Sequence, residues 1–140
     1  MFKFKTYVLK RMNMPFTIAF VRDSFDETLI DALNQIVNEI DKYLQNVEEK
    51  FSPFLSESLV SRHTDLGEEL QGDFFDIEYQ EVYSRCIIAK KETHGLFDPF
   101  FDGKYNPTGF VKGWAIENAF MKYIKPLIDN NILEAGAING

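Results

Sequence analysis

Cysteine is nearly absent from this 140-residue chain, where Cys86 stands alone. A single thiol excludes a disulfide framework and any cysteine-rich zinc site. The flanking Tyr83-Ser84-Arg85 and Ile87-Ile88-Ala89 place it on the apolar side of a predicted helix, as a small inert core residue. Histidine is almost as scarce. Neither His63 nor His94 has the spacing or acidic partners of a metal ligand, and His94 reads as a cationic helix end. No apolar run is long enough to span a membrane, and none follows Lys3, Lys5, Lys10 and Arg11 as a signal peptide requires. The chain therefore reads as cytoplasmic, with no membrane partner. Basic residues number 15 against 22 acidic ones, a net charge of −7. That balance excludes a nucleic-acid partner, which needs clustered Lys and Arg. Repeats and low-complexity segments are missing too. So is a Gly-x-Ser-x-Gly elbow, which leaves Ser52, Ser56, Ser58 and Ser61 without support as nucleophiles.

What is present suits one globular domain: 45% hydrophobic residues and 14 phenylalanines, enough for a core and an excess for a pocket or a partner surface. Residues 14–21 read as a strand. Ser24 and Glu27 have capping-box spacing, and Leu29, Leu33, Ile36, Val37, Ile40, Leu44 and Val47 then repeat at helical period, predicting a helix over about 26–50. Residues 51–72 read as irregular, with a short strand near Leu59 and Val60. A second helix is expected over 75–94 with Gly95 as its C′ residue. A third is expected over 112–130, kinked or restarted at Pro126, and a last strand over 132–138. Asn139-Gly140 is a hairpin signal with no return strand, so the chain looks interrupted.

The least generic stretch runs from Gly95 to Ala115. Its four glycines permit close backbone approach to a ligand, and the helix that follows offers unpaired N–H groups to an anion. Lys112, between Val111 and Gly113, stands between two readings: a solvated lysine, and an ammonium placed beside a phosphate or carboxylate. Asp98 and Asp102 could share a magnesium ion, but each is better explained as a turn former. Trp114 opens an apolar periodicity and belongs to the core. A phosphate-binding loop follows from these residues; a reaction does not.

Several segments nevertheless resemble, in order, the ApbE family of FAD:protein FMN transferases. Met14-Pro-Phe-Thr-Ile18 resembles the family's Met-Gly-Thr strand. Phe51-Ser-Pro-Phe-Leu-Ser-Glu-Ser58 with Ser61-Arg62 is similar to Phe-Ser-x-Tyr-x-x-x-Ser…Ser-Arg, and Gly95-Leu-Phe-Asp-Pro99 to Gly-Ala-Phe-Asp-Pro. Asn106-Pro-Thr-Gly-Phe-Val-Lys-Gly-Trp-Ala115 resembles Asp-Leu-Gly-Gly-Ile-Ala-Lys-Gly-Tyr-Ala, and Ala135-Gly-Ala-Ile-Asn-Gly140 the approach to Asn-Ala-Gly-Gly-Asp. The resemblance covers nearly everything from Met14 onward. It implies an α+β fold, an antiparallel sheet with helices packed on one face, as the N-terminal half of an ApbE-like flavin-transferase fold.

The activity implied is Mg²⁺-dependent transfer of FMN from FAD to a threonine or serine hydroxyl of a flavin-acceptor protein. By position, Met14, Phe54, Leu96, Phe97, Asp98, Asn106 and Lys112 would border FAD, and the Gly109 carbonyl would be a magnesium ligand. Asn106 stands where the family often has Asp and Phe54 where it often has Tyr, so a polar contact is expected to be missing at each. The later metal-binding and catalytic motifs lie beyond the matched segments, so no catalytic residue is assigned and catalysis by these 140 residues alone is not expected. The alternatives are a non-catalytic flavin- or adenine-nucleotide-binding fragment, and a structural half that assembles with a C-terminal partner or as a homo-oligomer.

Overall fold

Two residues set the first turn of the chain. Met12 and Asn13 both have positive φ, 54° and 58°, and they connect strands β1 (Lys3–Arg11) and β2 (Met14–Arg22), whose register pairs Arg11 with Met14. A two-residue loop with both residues left-handed matches the twist of a hairpin. β1 is absent from the sequence reading. It forms because Tyr7 and Leu9 alternate with Phe4, Thr6 and Val8, so the strand has a half-buried face and an exposed one. The expected strand over 14–21 is β2, one residue longer.

The computed structural model describes residues 1–65 and 76–140, which divide into two compact units. The end of the predicted irregular stretch and the predicted helix start at Phe75 lie outside the described residues.

The first unit comprises Met1–Gln45 and Trp114–Gly140. Its sheet has the order β1-β2-β3, with β3 (Ala135–Asn139) antiparallel to β2. Phe16, Ile18 and Phe20 point from β2 into the core and are fully buried, as are Leu33, Ile40 and Leu44 of α1 (Glu27–Phe51). Each such side chain contributes roughly 1.5–3 kcal/mol of hydrophobic stabilisation. The Tyr7 hydroxyl donates to Asn34 Oδ1, and Arg11 makes a two-pronged ion pair with Asp41, so α1 lies on the inner face of the hairpin. Gly136 of β3 meets Ile124 on the same face. The fold is thus α+β, an antiparallel sheet with helices on one face. The α1 cap is Asp26 rather than the expected Ser24: Asp26 Oδ1 accepts the Leu29 N–H at 2.8 Å and Asp26 O accepts that of Ile30.

The expected helix over 112–130 is three pieces. α4 (Thr108–Ala119) leads into a π-helical turn (Phe120–Ile124) and then α5 (Lys125–Asp129). Pro126 has no N–H to donate, and the chain widens just before it, with the Lys125 N–H bonding Phe120 O. The last strand begins at Ala135, three residues later than expected, after a turn closed by Ile132 and Leu133 N–H bonds to Leu127 O.

The second unit is Asn46–Gly113. Val47, Phe51, Val60, Tyr79, Val82, Cys86, Tyr105 and Val111 form its core, with Phe51 and Tyr79 rings stacked at 5.8 Å. The expected strand near Leu59 is instead helix α2 (Leu59–Asp65). Ser58 dictates this: its buried Oγ accepts the Ser61 N–H at 3.0 Å as a helix cap and donates to Ser52 O at 2.7 Å. α3 (Ile77–Glu92) is capped by Asp76, and Lys50 reaches both Asp76 and Glu78 at 2.9 Å. At the other end the left-handed C′ residue is His94 (φ 53°), not Gly95. The His94 and Gly95 N–H groups bond Lys91 O and Lys90 O, a Schellman closure that places Gly95 one position further on.

Candidate functional site

The Gly-rich stretch folds as a tethered loop between α3 and α4, within the second unit. Pro99, Tyr105 and Pro107 are buried and anchor it, while 101–104 form its exposed tip. The Asn106 N–H donates to Pro99 O at 2.7 Å, closing the neck. Asp98 Oδ1 accepts the Phe100 N–H at 2.9 Å, and Asp102 Oδ1 accepts that of Lys104 at 3.2 Å. Both aspartates therefore build their own turns. Asp98 also lies 3.4 Å from Lys90 Nζ, an ion pair that sequence reading missed. Asp98 and Lys90 lie on opposite sides of the α3 terminus, so only the fold pairs them.

α4 starts earlier than the expected residue 112. Pro107 O accepts the Phe110 and Val111 N–H groups, and Asn106 Oδ1 takes the backbone N–H and the hydroxyl of Thr108. Gly109 and Gly113 are consequently helical, and Lys112 sits one turn inside α4 rather than at its start. Gly109 is exposed, with the Phe97 ring beside it: a Cβ there would touch Phe97 Cε2 at 3.6 Å. Spacing of three along a helix puts Gly109 and Lys112 on one face. Lys112 is half-buried, and its ammonium has no ion-pair partner among the described residues.

The loop thus brings Phe97 and Asn106 to the first turn of α4, which carries Gly109 and, one turn on, Lys112, while Asp98 stays with its own turn and Lys90. Leu96 is 94% exposed beside them. Phe54 is 70% exposed on a turn held from behind by Ser52, whose Oγ accepts the Phe54 N–H, and no described contact joins it to the loop. Met14 opens β2 in the first unit.

Helix starts leave backbone N–H groups without intrahelical acceptors. Here Asn106 satisfies one and Pro107 O another, and the Gly109 N–H has an open approach. That N–H, the helix dipole and the Lys112 ammonium make a fitting set for a phosphate. Magnesium fits less well. The Gly109 carbonyl is the only oxygen that sequence reading assigns to it, and among the described residues no three His, Cys, Asp or Glu side chains converge as a metal site. A magnesium ion here would need further oxygens from the ligand or elsewhere.

Behind the loop lies an aromatic cluster that sequence reading did not foresee. Tyr105 packs against Tyr83 at 5.0 Å and Phe100 at 5.7 Å, and the His63 ring nitrogen Nδ1 lies 2.7 Å from the Tyr79 hydroxyl. The Tyr105 hydroxyl is buried without a hydrogen-bond partner among the described residues. The Cys86 thiol is its neighbour. Burial pushes the thiol up to about 11, with Tyr105 pulling weakly the other way, so Cys86 is the inert core residue expected. Burial likewise raises the Tyr79 and Tyr105 phenols. Tyr105, buried in this cluster, anchors the loop's neck.

No family model and no curated protein matches the sequence. Solved structures do match. The flavin transferase ApbE from Vibrio cholerae superposes with a TM-score of 0.67 at 12% identity, covering 99% of this chain and 57% of that one. A point mutant of the same enzyme gives 0.65 and 11%, covering 99% and 60%. This chain spans less than two thirds of the solved flavin transferases it matches. Among the described residues no helix is long and apolar enough to cross a membrane. The chain has the fold of the N-terminal portion of an ApbE flavin transferase.

Proposed function

We propose that this chain is the nucleotide-binding portion of a flavin-transferase-like protein, taking the diphosphate of FAD at the start of α4. The observation that carries this reading is the coincidence of two independent lines. The fold matches a flavin transferase over 99% of the chain, and the loop singled out from sequence runs into a helix start whose first turns carry Gly109 and a Lys112 with no ion-pair partner among the described residues.

In this reading the Gly109 N–H donates to a phosphate oxygen and Lys112 neutralises its charge. The Phe97 ring shields the helix start from water on one side. Asn106 fixes the loop neck with its carboxamide already committed to Thr108, so it orients the helix rather than the flavin. Asp98, held by Lys90, shapes the turn and leaves its second oxygen for a ligand hydroxyl or amide.

The reaction implied is FMN transfer to a threonine or serine hydroxyl of an acceptor protein. The hydroxyl oxygen forms a new P–O bond, the diphosphate P–O bond breaks, AMP leaves with the electron pair, and the hydroxyl proton goes to a base. These residues position the diphosphate and offset its charge, which is most of what such a displacement requires. None of them is placed as the base. Calorimetric titration of the chain with FAD, with and without Mg²⁺, tests the reading. Micromolar binding strengthened by Mg²⁺ is expected, and absence of binding under both conditions would overturn it.

A further inference from the structure

We propose that Thr93 is a positioning residue of the α4 helix start: its hydroxyl holds Phe97 so that the aromatic ring stands against Gly109. Its effect on ligand binding rests on the proposed diphosphate site, whereas the positioning itself rests on the geometry of the second unit alone.

The hydroxyl is used twice. Thr93 caps the C-terminal end of α3, and its Oγ1 donates its one proton back to Ala89 O at 2.8 Å in preference to Lys90 O at 3.5 Å. The same oxygen accepts the Phe97 N–H at 3.0 Å. A hydroxyl has both a donor and free lone pairs, so Thr and Ser can make this bridge and an aliphatic side chain cannot. The other N–H groups of the turn are served by backbone carbonyls: Thr93 bonds Ala89 O, His94 bonds Lys91 O, Gly95 bonds Lys90 O and Leu96 bonds Thr93 O. Phe97 is the next residue along, and the Thr93 side chain ties its backbone to the helix end.

That tie fixes the backbone from which the ring projects. A Cβ built on Gly109 meets Phe97 Cε2 at 3.6 Å, ordinary van der Waals contact, so the ring covers one side of the first turn of α4. Phe97 is half-buried and Gly109 exposed. With water displaced from that side, the Gly109 N–H and the Lys112 ammonium act on an anion through a less polar medium, where each is worth more. A ring free to swing away returns the helix start to bulk water.

Another tie from α3 acts on the following turn instead. Lys90 Nζ lies 3.4 Å from Asp98 Oδ1 and 5.6 Å from the Phe100 ring centroid, so it steadies residues beyond Phe97. The two side chains of that ion pair are 43% and 30% exposed, and exposed pairs contribute little and are screened by salt. The Thr93 bridge is uncharged and local, so it holds Phe97 at high salt as at low.

Three variants test this. Thr93→Val keeps the branched shape without the hydroxyl, Thr93→Ala removes the hydroxyl without adding a methyl, and Thr93→Ser keeps the hydroxyl. In the ligand-free chain, the nuclear Overhauser contact between the Phe97 ring and the Gly109 α-protons should vanish in the first two and persist in Thr93→Ser. Exchange of the Phe97 amide should quicken by about tenfold in the same two. FAD affinity, titrated below each melting transition, should fall about three- to tenfold in them, the worth of one neutral hydrogen bond, and stay within about twofold for Thr93→Ser. In a Phe97→Ala background Thr93→Val should add nothing further, since Thr93 acts through that ring. An unchanged Phe97–Gly109 contact without the hydroxyl would overturn the proposal. So would a Thr93→Ser protein as weak as Thr93→Val, or the full loss of affinity repeated in the Phe97→Ala background. A wild-type chain that binds no FAD removes the flavin reading instead, and the ligand-free contact and exchange then decide the role of Thr93 by themselves.

Discussion

A methyl group added to Gly136 would test how tightly β3 packs on the helical layer. An ideal Cβ there falls 2.6 Å from Ile124 Cγ2 and 3.4 Å from Ala19 O. The first distance is far inside carbon–carbon contact, and Ile124 cannot easily yield because it is fully buried and branched at Cβ. Overpacking of this kind costs about 1–3 kcal/mol, while removing a glycine from a strand returns about 0.5–1 kcal/mol. Gly136→Ala should therefore destabilise the first unit by about 1–2 kcal/mol. Ile124→Ala alone should cost about 2–5 kcal/mol through the cavity it leaves. Combined, the two should cost less than their sum by about 1 kcal/mol or more, because the new methyl occupies the space Ile124 vacates. Urea unfolding followed by Trp114 fluorescence is the assay: it is the sole tryptophan, it is buried, and it belongs to the first unit. A Gly136→Ala protein as stable as wild type, or strictly additive effects in the cycle, would refute the packing described.

Three further outcomes are expected. Lys112→Ala should weaken FAD binding about tenfold or more, the scale of one charge-assisted hydrogen bond of about 1.5–3 kcal/mol, with no change in thermal unfolding; unchanged affinity would detach Lys112 from the phosphate. Ser58→Ala should destabilise the second unit by about 1–2 kcal/mol, since it removes a helix cap and leaves Ser52 O with only the longer bond from the Leu55 N–H; far-ultraviolet melts of the variant measure it. The Asp76 carboxyl is held below its ordinary value: burial opposes ionisation, but the Tyr79 N–H and the Lys50 ammonium outweigh it. A depressed folded-state carboxyl contributes stability above its unfolded pKa, and that contribution fades as pH falls through the folded value. The wild-type advantage over Asp76→Asn in urea should hold at neutral pH and shrink below about pH 4.

Legibility followed the locality of the physics. α1 could be read within a residue because its apolar repeat runs the whole helix, but its cap was misplaced: Ser24 and Asp26 both suit an N-terminus, and only the backbone path decides between them. β1 was missed because Met12 is an unusual left-handed turn residue, which hid a two-residue hairpin whose alternation from Phe4 to Leu9 was there to find. α2 was mistaken for a strand because Leu59-Val60 is β-favouring, whereas Ser58 caps a helix through a hydrogen bond that also depends on the distant Ser52. The loop's glycines, prolines and Lys112 marked it in the sequence as the least generic stretch, and it folds as a loop between α3 and α4. The earlier start of α4 was not, since it depends on the Asn106 carboxamide folding back on Thr108. The Lys90–Asp98 pair and the Tyr105 cluster join residues from separate elements, and no spacing rule reveals them.

The central claim is that a diphosphate meets the first turn of α4, and amide chemical shifts report on it directly. FAD added to nitrogen-15-labelled protein should shift the Gly109 and Phe110 resonances most, with smaller changes at Phe97 and Lys112, and riboflavin, which has no phosphate, should leave Gly109 where it is. Shifts confined to other parts of the chain, or equal effects of riboflavin and FAD at Gly109, would contradict the account.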